Sequence, residues 1–242
     1  MIRGFYTAVT SMATRQIQQE NLSNNIANIN TPGFKKSDVS IKTFEDMLIQ
    51  RRESFANSRN RSEAIGYLNS GVGIDEIKKD YTQGAIRRTD KKTDFAINGD
   101  KFMFNVVDAN GKKHLSRDGK FHVADGGYLV DSQGRRVIGS DNKPIIINGN
   151  EPDLNKSGIL TNSNGNVGFM LTEINTENGQ AVRQGGNLEA VSQGVLEGSN
   201  VNVEDVMTEI ITVSRNYESA QKVLLQMDES LGKAVNEVGV VR

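Results

Sequence analysis

The strongest constraint on the fold lies at the C-terminal end. Stepping from Val203 alternately by three and four residues meets Val206, Ile210, Val213, Tyr217, Ala220, Leu224, Met227, Leu231, Ala234, Val238 and Val241, twelve apolar positions without a break. A 3.5-residue repeat held that long specifies a helix whose seam faces a partner helix, with left-handed supercoiling. Ser199 or Asn200 is expected to cap its start, and Glu204 and Asp205 suit the positive end of the helix dipole. One alternative stays open: a long helix packed on its own domain. Ile211, Val223 and Leu225 fall off the seam, however, and a two-helix hairpin leaves them uncovered, which implies more than one partner.

The N-terminal end repeats the pattern in weaker form. Ile2, Phe5, Val9 and Met12 keep the spacing; Gln16, Gln19 and Ser23 interrupt it; Ile26 restores it, with Leu22 and Ile29 widening the stripe. Thr31-Pro32-Gly33 is expected to stop the helix, because proline cannot continue it and glycine accepts a left-handed turn. A helix of about 28 residues with a half-polar seam is marginal alone in water, so it is expected to pair with the C-terminal one. The chain between them then becomes an insertion on a helical stalk.

Glycine placement supports that reading. Of 24 glycines, all but Gly4, Gly33, Gly232 and Gly239 fall between Gly66 and Gly198, and the three prolines fall at positions 32, 144 and 152. From Gly71 to Ala190 short apolar runs alternate with turn pairs: Asn110-Gly111, Asp118-Gly119, Asp125-Gly126-Gly127, Asn164-Gly165 and Asn178-Gly179. Such pairs accept positive φ and mark hairpins, so this stretch reads as a β-rich domain with its own core. The expected class is therefore α+β, with terminal helices paired as a coiled-coil-like stalk around an inserted domain of hairpins. The boundaries are an N-terminal helix over 1–34, an extended or partly helical arm over 35–75, the β-rich domain over 76–190, and a connector with the C-terminal helix over 191–242. Within the arm, Ile41, Phe44, Met47 and Leu48 fit either a short helix or an extended segment. Residues 50–61 read as a solvated loop carrying four arginines, with only Phe55 as an aromatic, which is too little for a nucleic-acid patch.

Chemistry is sparse. With no cysteine, thiolate metal sites and a cysteine nucleophile are excluded. His114 and His122 sit on expected neighbouring strands, but two histidines without a third ligand make a poor zinc site, and cross-strand or surface packing is the expected role. Asp108-x-Asn110-Gly111 starts like a calcium loop, yet Lys112 and Lys113 put the wrong charge among the ligands, so it reads as a hairpin turn. No Gly-x-Ser-x-Gly elbow, Walker A loop or complete dinucleotide fingerprint occurs. Lys+Arg 29 against Asp+Glu 30 gives net charge −1, so no global field draws the chain to nucleic acid or anionic lipid. Mean hydropathy of −0.49 and the lack of a long apolar run argue against membrane insertion. Residues 1–10 lack an apolar h-region and a cleavage site, so a Sec-type signal is not expected. No catalytic, cofactor or metal residue is assigned, and the chain reads as a non-enzyme.

The remaining motifs resemble a known family. Asn21 to Lys36, NLSNNIANINTPGFKK, is similar to the N-terminal signature of bacterial flagellar rod and hook proteins. Asn25, Asn28, Pro32, Gly33, Phe34 and Lys35 carry that match. Near the other end, Glu197 with Ser199, Asn200 and Val201 precedes the helix, and Arg215, Tyr217 and Glu218 lie within it, as in that family's C-terminal motif. Gln83-Gly84, Thr93 to Asp100 and Ser116 to Phe121 resemble the opening of its β-domain. One departure is Lys101-Phe102-Met103-Phe104, where Gly-Phe-Phe is usual.

The resemblance, with one β-domain between helical ends, tilts toward the distal-rod type and its proximal-rod relative; a short hook or hook-junction component is the alternative. It implies a structural subunit of the basal-body rod, exported by the flagellar type III apparatus to the extracytoplasmic basal body. Its implied partners are copies of itself and other rod and hook proteins, and it implies no cofactor. The expected assembly interface comprises Ile2, Phe5, Val9, Met12, Leu22, Ile26 and Ile29 with Val206, Ile210, Val213, Tyr217, Leu224, Met227 and Leu231. A cell-wall hydrolase or an adhesin stalk are rivals of other classes. The first would need a cleft with paired carboxylates, and the second stably paired ends that never polymerise.

Overall fold

The structure is a computed structural model that describes residues 2–53, 61–147, 152–155, 158–162, 165–185 and 190–238. Phe55, Asn164 and Val241 from the sequence reading lie outside these residues. The chain is α+β: helix α1 (Ile2–Ala27) opens it, helix α2 (Val203–Lys233) with a π-turn over Ala234–Val238 closes it, and the middle is built of strands. It divides into two units. The first comprises Met1–Ser23, Asp38–Lys78 and Met207–Arg242; the second comprises Asn24–Ser37 and Lys79–Val206.

In the first unit the arm is extended. β1 (Ser37–Thr43) pairs with β4 (Val72–Lys79), and β2 (Met47–Glu53) pairs with β3 (Arg61–Leu68) antiparallel, from Met47 opposite Leu68 to Glu53 opposite Arg61. Of the two alternatives for this stretch the extended one is observed, with Ile41 on β1 and Met47 and Leu48 on β2. The solvated loop expected over 50–61 is corrected, because 50–53 continue β2 and Arg61 opens β3. Along α2 the residues turned from solvent follow the seam: Val206 and Val213 are buried, and Ile210, Tyr217, Ala220, Leu224, Met227, Leu231 and Ala234 are partly buried. Val203, which begins the seam in sequence, is exposed.

The second unit holds β5 (Ile86–Arg88), β6 (Phe95–Ile97), β7 (Phe102–Val107), β8 (Lys113–Ser116), β9 (His122–Val123), β10 (Leu129–Val130) and β11 (Arg136–Val137). It continues with β12 (Asp153–Leu154), β13 (Ile159–Asn162), β14 (Gly165–Gly168), β15 (Leu171–Ile174), β16 (Ala181–Gln184), β17 (Val191–Gln193) and β18 (Val195–Glu197). Hairpins form at Asn110-Gly111, Asp125-Gly126-Gly127 and Asn178-Gly179, with β7 and β8 joined through Gly111, whose N–H donates to the Asp108 carbonyl at 2.9 Å; Asp118-Gly119 joins none, since β8 and β9 do not pair. The connectivity is richer than a sequential meander. β7 pairs with β8 on one edge, while β15 and β11 meet its other edge one after the other, so Phe104 stands opposite both Ser116 and Leu171. β17 returns to pair with β6, and β18 with β5.

The core sits inside this unit. Phe95, Phe104, Phe121 and Phe169 pack with ring centroids 4.9 to 6.1 Å apart, ringed by Ile97, Val106, Leu129, Val137, Ile145, Leu160 and Leu171. Three of the contacts are edge-to-face, which sets the positive ring edge against a negative face.

Candidate functional site

The three motif regions, far apart in sequence, converge in the second unit. The Asn-rich end of α1 is closed by its own side chains. The Asn28 amide donates to the Asn24 carbonyl at 2.9 Å, satisfying one of the carbonyls a helix end leaves open. Buried Asn25 reaches across the following turn, donating to the Ser37 carbonyl at 2.8 Å and accepting the Ser37 N–H at 3.1 Å. The helix stops at Ala27, short of the Thr31-Pro32-Gly33 break, because these asparagines compete for the backbone. Gly33 then turns with φ +67°, and its N–H donates to the Glu197 carbonyl at 2.8 Å.

At the centre are three buried charges. Glu197 accepts Lys35 Nζ on Oε1 at 2.6 Å and Arg117 Nε on Oε2 at 2.6 Å; the side chains of Lys35, Glu197 and Arg117 are 6%, 1% and 2% exposed. Burial on that scale is tolerated only when every polar group is paired. Lys35 also donates to the Thr82 carbonyl at 2.6 Å, and the Gly84 N–H donates to Glu197 Oε1 at 3.0 Å. The Arg117 guanidinium donates further to the carbonyls of Ile97, Gly99 and Phe102. Burial pushes the Lys35 ammonium below the ordinary lysine value; Glu197 opposes that push and the Arg117 charge adds to it.

Asn200 completes the join. Its side-chain oxygen accepts the Lys36 N–H at 2.8 Å, and its amide donates to the Asp80 carbonyl at 2.9 Å. It is therefore not the cap of α2, and neither is Ser199, whose hydroxyl accepts the Val201 N–H at 3.2 Å. Asn202 caps the helix instead, accepting the Glu204 N–H on its side chain at 3.1 Å and the Val206 N–H on its carbonyl at 3.1 Å. Val201 is buried beside this turn.

A cleft of about 460 Å³ lies beside the join, walled by Thr31 to Lys35, Tyr81, Met103, Leu115, Arg117 and Arg135 among others. Its ionisable lining is mostly cationic and offers no carboxylate pair among the described residues. His114 Nε2 lies 2.6 Å from Asp108 Oδ2, whereas His122 is on β9, which pairs with β10; the two histidines are not on neighbouring strands. Among the described residues no three His, Asp or Glu side chains group as metal ligands.

The expected interface residues divide by exposure. On α1, Leu22 is buried, Phe5, Met12 and Ile26 are partly buried, and Val9 is exposed; Ile29, in the turn after the helix, is partly buried, and the Ile2 side chain lies outside the described ones. The less exposed line of the helix instead runs through Gly4, Ala8, Ser11, Arg15, Gln18, Leu22 and Asn25. On α2, Arg215 and Glu218 face solvent, as do Met207, Ile211, Val223 and Leu225, with Ile211 at 54% and Leu225 at 59%. The sequence motifs contain Arg117 and Glu197, but nothing in their local spacing shows that the two meet.

Comparison with known proteins bears on these same segments. Residues 5–35 match the family described as flagella basal body rod protein, and residues 192–237 match the C-terminal family of the flagellar basal body rod FlgEFG proteins. The chain is 42% identical over 97 residues to the flagellar hook-basal body complex protein FlhO of Bacillus subtilis (40% of this chain, 36% of that one). It is 39% identical over 124 residues to the flagellar hook protein FlgE of Helicobacter pylori (50% of this chain, 17% of that one). Identity to the flagellar basal-body rod protein FlgG of Buchnera aphidicola is 35% over 122 residues, 49% of this chain and 45% of that one. In each case the match spans less than half the length of the relative. Both terminal segments that resemble the rod and hook proteins of the flagellar basal body are thus present in this chain, and they are joined to each other through Gly33, Lys35 and Glu197.

Proposed function

We propose that this chain is a structural, non-enzymatic subunit of the flagellar basal-body rod, polymerising into a helical tube that transmits torque and encloses the export channel. The observation that carries the reading is the apolar surface left on the helices. Met207, Ile211, Val223 and Leu225 on α2, Val235 in the π-turn that follows it, and Tyr6, Val9 and Ile17 on α1 are exposed, more apolar area than an isolated chain leaves in water without a partner. Neighbouring copies, with α1 and α2 paired in coiled-coil fashion, supply that cover. The ends then order on stacking, so the free energy of burying them is released at the growing tip. Delivery by the type III export apparatus belongs to the same reading.

The similarity to hook proteins over 124 residues favours a second reading, a short hook or hook-junction component. Projection images of basal bodies purified with and without this chain separate the two. Loss of a rod segment supports the rod reading, loss confined to the hook supports the second, and an unchanged axial structure overturns both.

A further inference from the structure

The buried charges have a consequence for how the second unit closes. Lys35 and Arg117 both precede Glu197 in the chain, and both direct their cationic groups at its carboxylate. Until Glu197 arrives, two cations share one pocket with carbonyl partners only. The segment that brings it also makes a belt of bonds with residues 33–36 and 80–88. β18 pairs with β5, Gly33 N–H donates to the Glu197 carbonyl, Gly198 N–H donates to the Ala85 carbonyl at 2.8 Å, and Asn200 ties Lys36 to Asp80. The aromatic core, by contrast, is built on Phe95, Phe104, Phe121 and Phe169, and none of the belt residues is a member of that cluster.

We propose that Glu197 is a bolt: the β-rich body folds on its own core, and the belt formed by residues 33–36, 80–88 and 195–200 closes as a separate step when the Glu197 carboxylate enters between Lys35 and Arg117. The segments that leave α1 and enter α2 are fixed to the body only with the bolt shut. Wherever the chain must pass between an open and a closed form, this single carboxylate decides which. A merely structural ion pair would instead melt together with the core.

Hydrogen exchange on the full chain tests the bolt. Glu197→Gln leaves two facing cations unneutralised, and breaking a buried pair is worth a factor of about 10² to 10³ in an opening equilibrium. The Gly33, Lys36, Gly84 and Gly198 amides are expected to exchange at least about a hundredfold faster, with the Val106, Ile138 and Leu171 amides as slow as in wild type. Lys35→Met alone keeps the Arg117–Glu197 pair and is expected to change belt exchange less than about tenfold, since apolar replacement of one charge that leaves a neutral pair is mild. The double variant is expected to be slower-exchanging at the belt than Glu197→Gln alone, one of the opposed cations having gone. Unchanged belt exchange in Glu197→Gln, body amides that open in step with the belt, or a double variant more open than the single each overturn the proposal. Should Glu197→Gln not fold, wild type in mild denaturant decides the matter: belt amides released as a group before the body support the bolt, and one merged opening refutes it.

Discussion

Replacing Gly33 by alanine isolates what the convergence of the motifs demands of one backbone position. Two costs add there. The first is conformational: at φ +67° a Cβ crowds the neighbouring carbonyl, a penalty of about 1–2 kcal/mol. The second is contact. A Cβ on Gly33 would lie 2.3 Å from the Arg117 carbonyl oxygen, 2.4 Å from its carbon and 2.7 Å from the Asp118 nitrogen. These are backbone atoms of a strand end and cannot swing aside as a side chain can. Relief requires the two segments to separate by about 1 Å, an overpacking cost of about 1–3 kcal/mol. It also stretches the Gly33 to Glu197 hydrogen bond out of range, for about 1 kcal/mol more.

Gly111→Ala is the control that separates the two costs. Its φ of +77° carries a similar conformational penalty, but a Cβ there meets nothing within 4 Å. Gly33→Ala is therefore expected to be less stable than Gly111→Ala by about 2–4 kcal/mol, the sum of the contact costs alone. Urea unfolding of both full-length variants, followed by a probe in the β-rich unit, measures the difference; in melting temperature it corresponds to roughly 4–16 °C for a unit of this size. If the two variants unfold at the same urea concentration, the close approach of the N-terminal motif to Arg117 is not formed in solution, and the convergence reasoning falls with it.

Two further outcomes follow from the same geometry. Leu224→Asp or Met227→Asp places a charge in the seam and is expected to abolish assembly while leaving the β-rich unit folded; loss of β-unit structure by circular dichroism in either variant would refute the separation of roles. Because burial holds the native Lys35 pKa below the ordinary 10.5, the unfolded chain binds more protons in the interval between the two values, and the stability contributed by Lys35 rises as pH climbs through it. Wild type is therefore expected to gain on Lys35→Met in urea stability between pH 7 and 10, and a gap that stays constant or moves the other way would refute this assignment.

How much of this was legible in the sequence depended on the range over which each feature is encoded. The α2 seam was legible because its signal is local and repeated: the positions from Val206 to Ala234 that step by three and four are the ones turned from solvent. The hairpins were legible for the same reason, a turn pair every few residues. α1 shows a second kind of surface. Its less exposed line passes through Gly4, Ala8 and Ser11, and a Cβ on Gly4 would sit 2.9 Å from the Met227 methyl. Contact there is built by small residues that let another surface come close, and a search for large apolar residues passes over them. The helix cap failed through ambiguity: Ser199, Asn200 and Asn202 are equally good caps by type, and only the Lys36 and Asp80 backbone groups, more than a hundred residues away, claim Asn200 for another task.

The charged centre was illegible for a deeper reason. Lys35, Arg117 and Glu197 are separated by 80 residues in one pair and 162 in the other, so no periodicity relates them. Each taken alone looks like an ordinary surface charge. What converts them into a buried centre is the backbone supplied by other segments: the carbonyls of Thr82, Ile97, Gly99 and Phe102 and the N–H of Gly84. A buried carboxylate between two cations is costly unless such groups are already in place, so its presence is a property of the assembled unit and of no segment within it. That is also why the same three residues suit a closing step better than a nucleating one. The body must exist to hold Arg117 before Glu197 has anything to close upon.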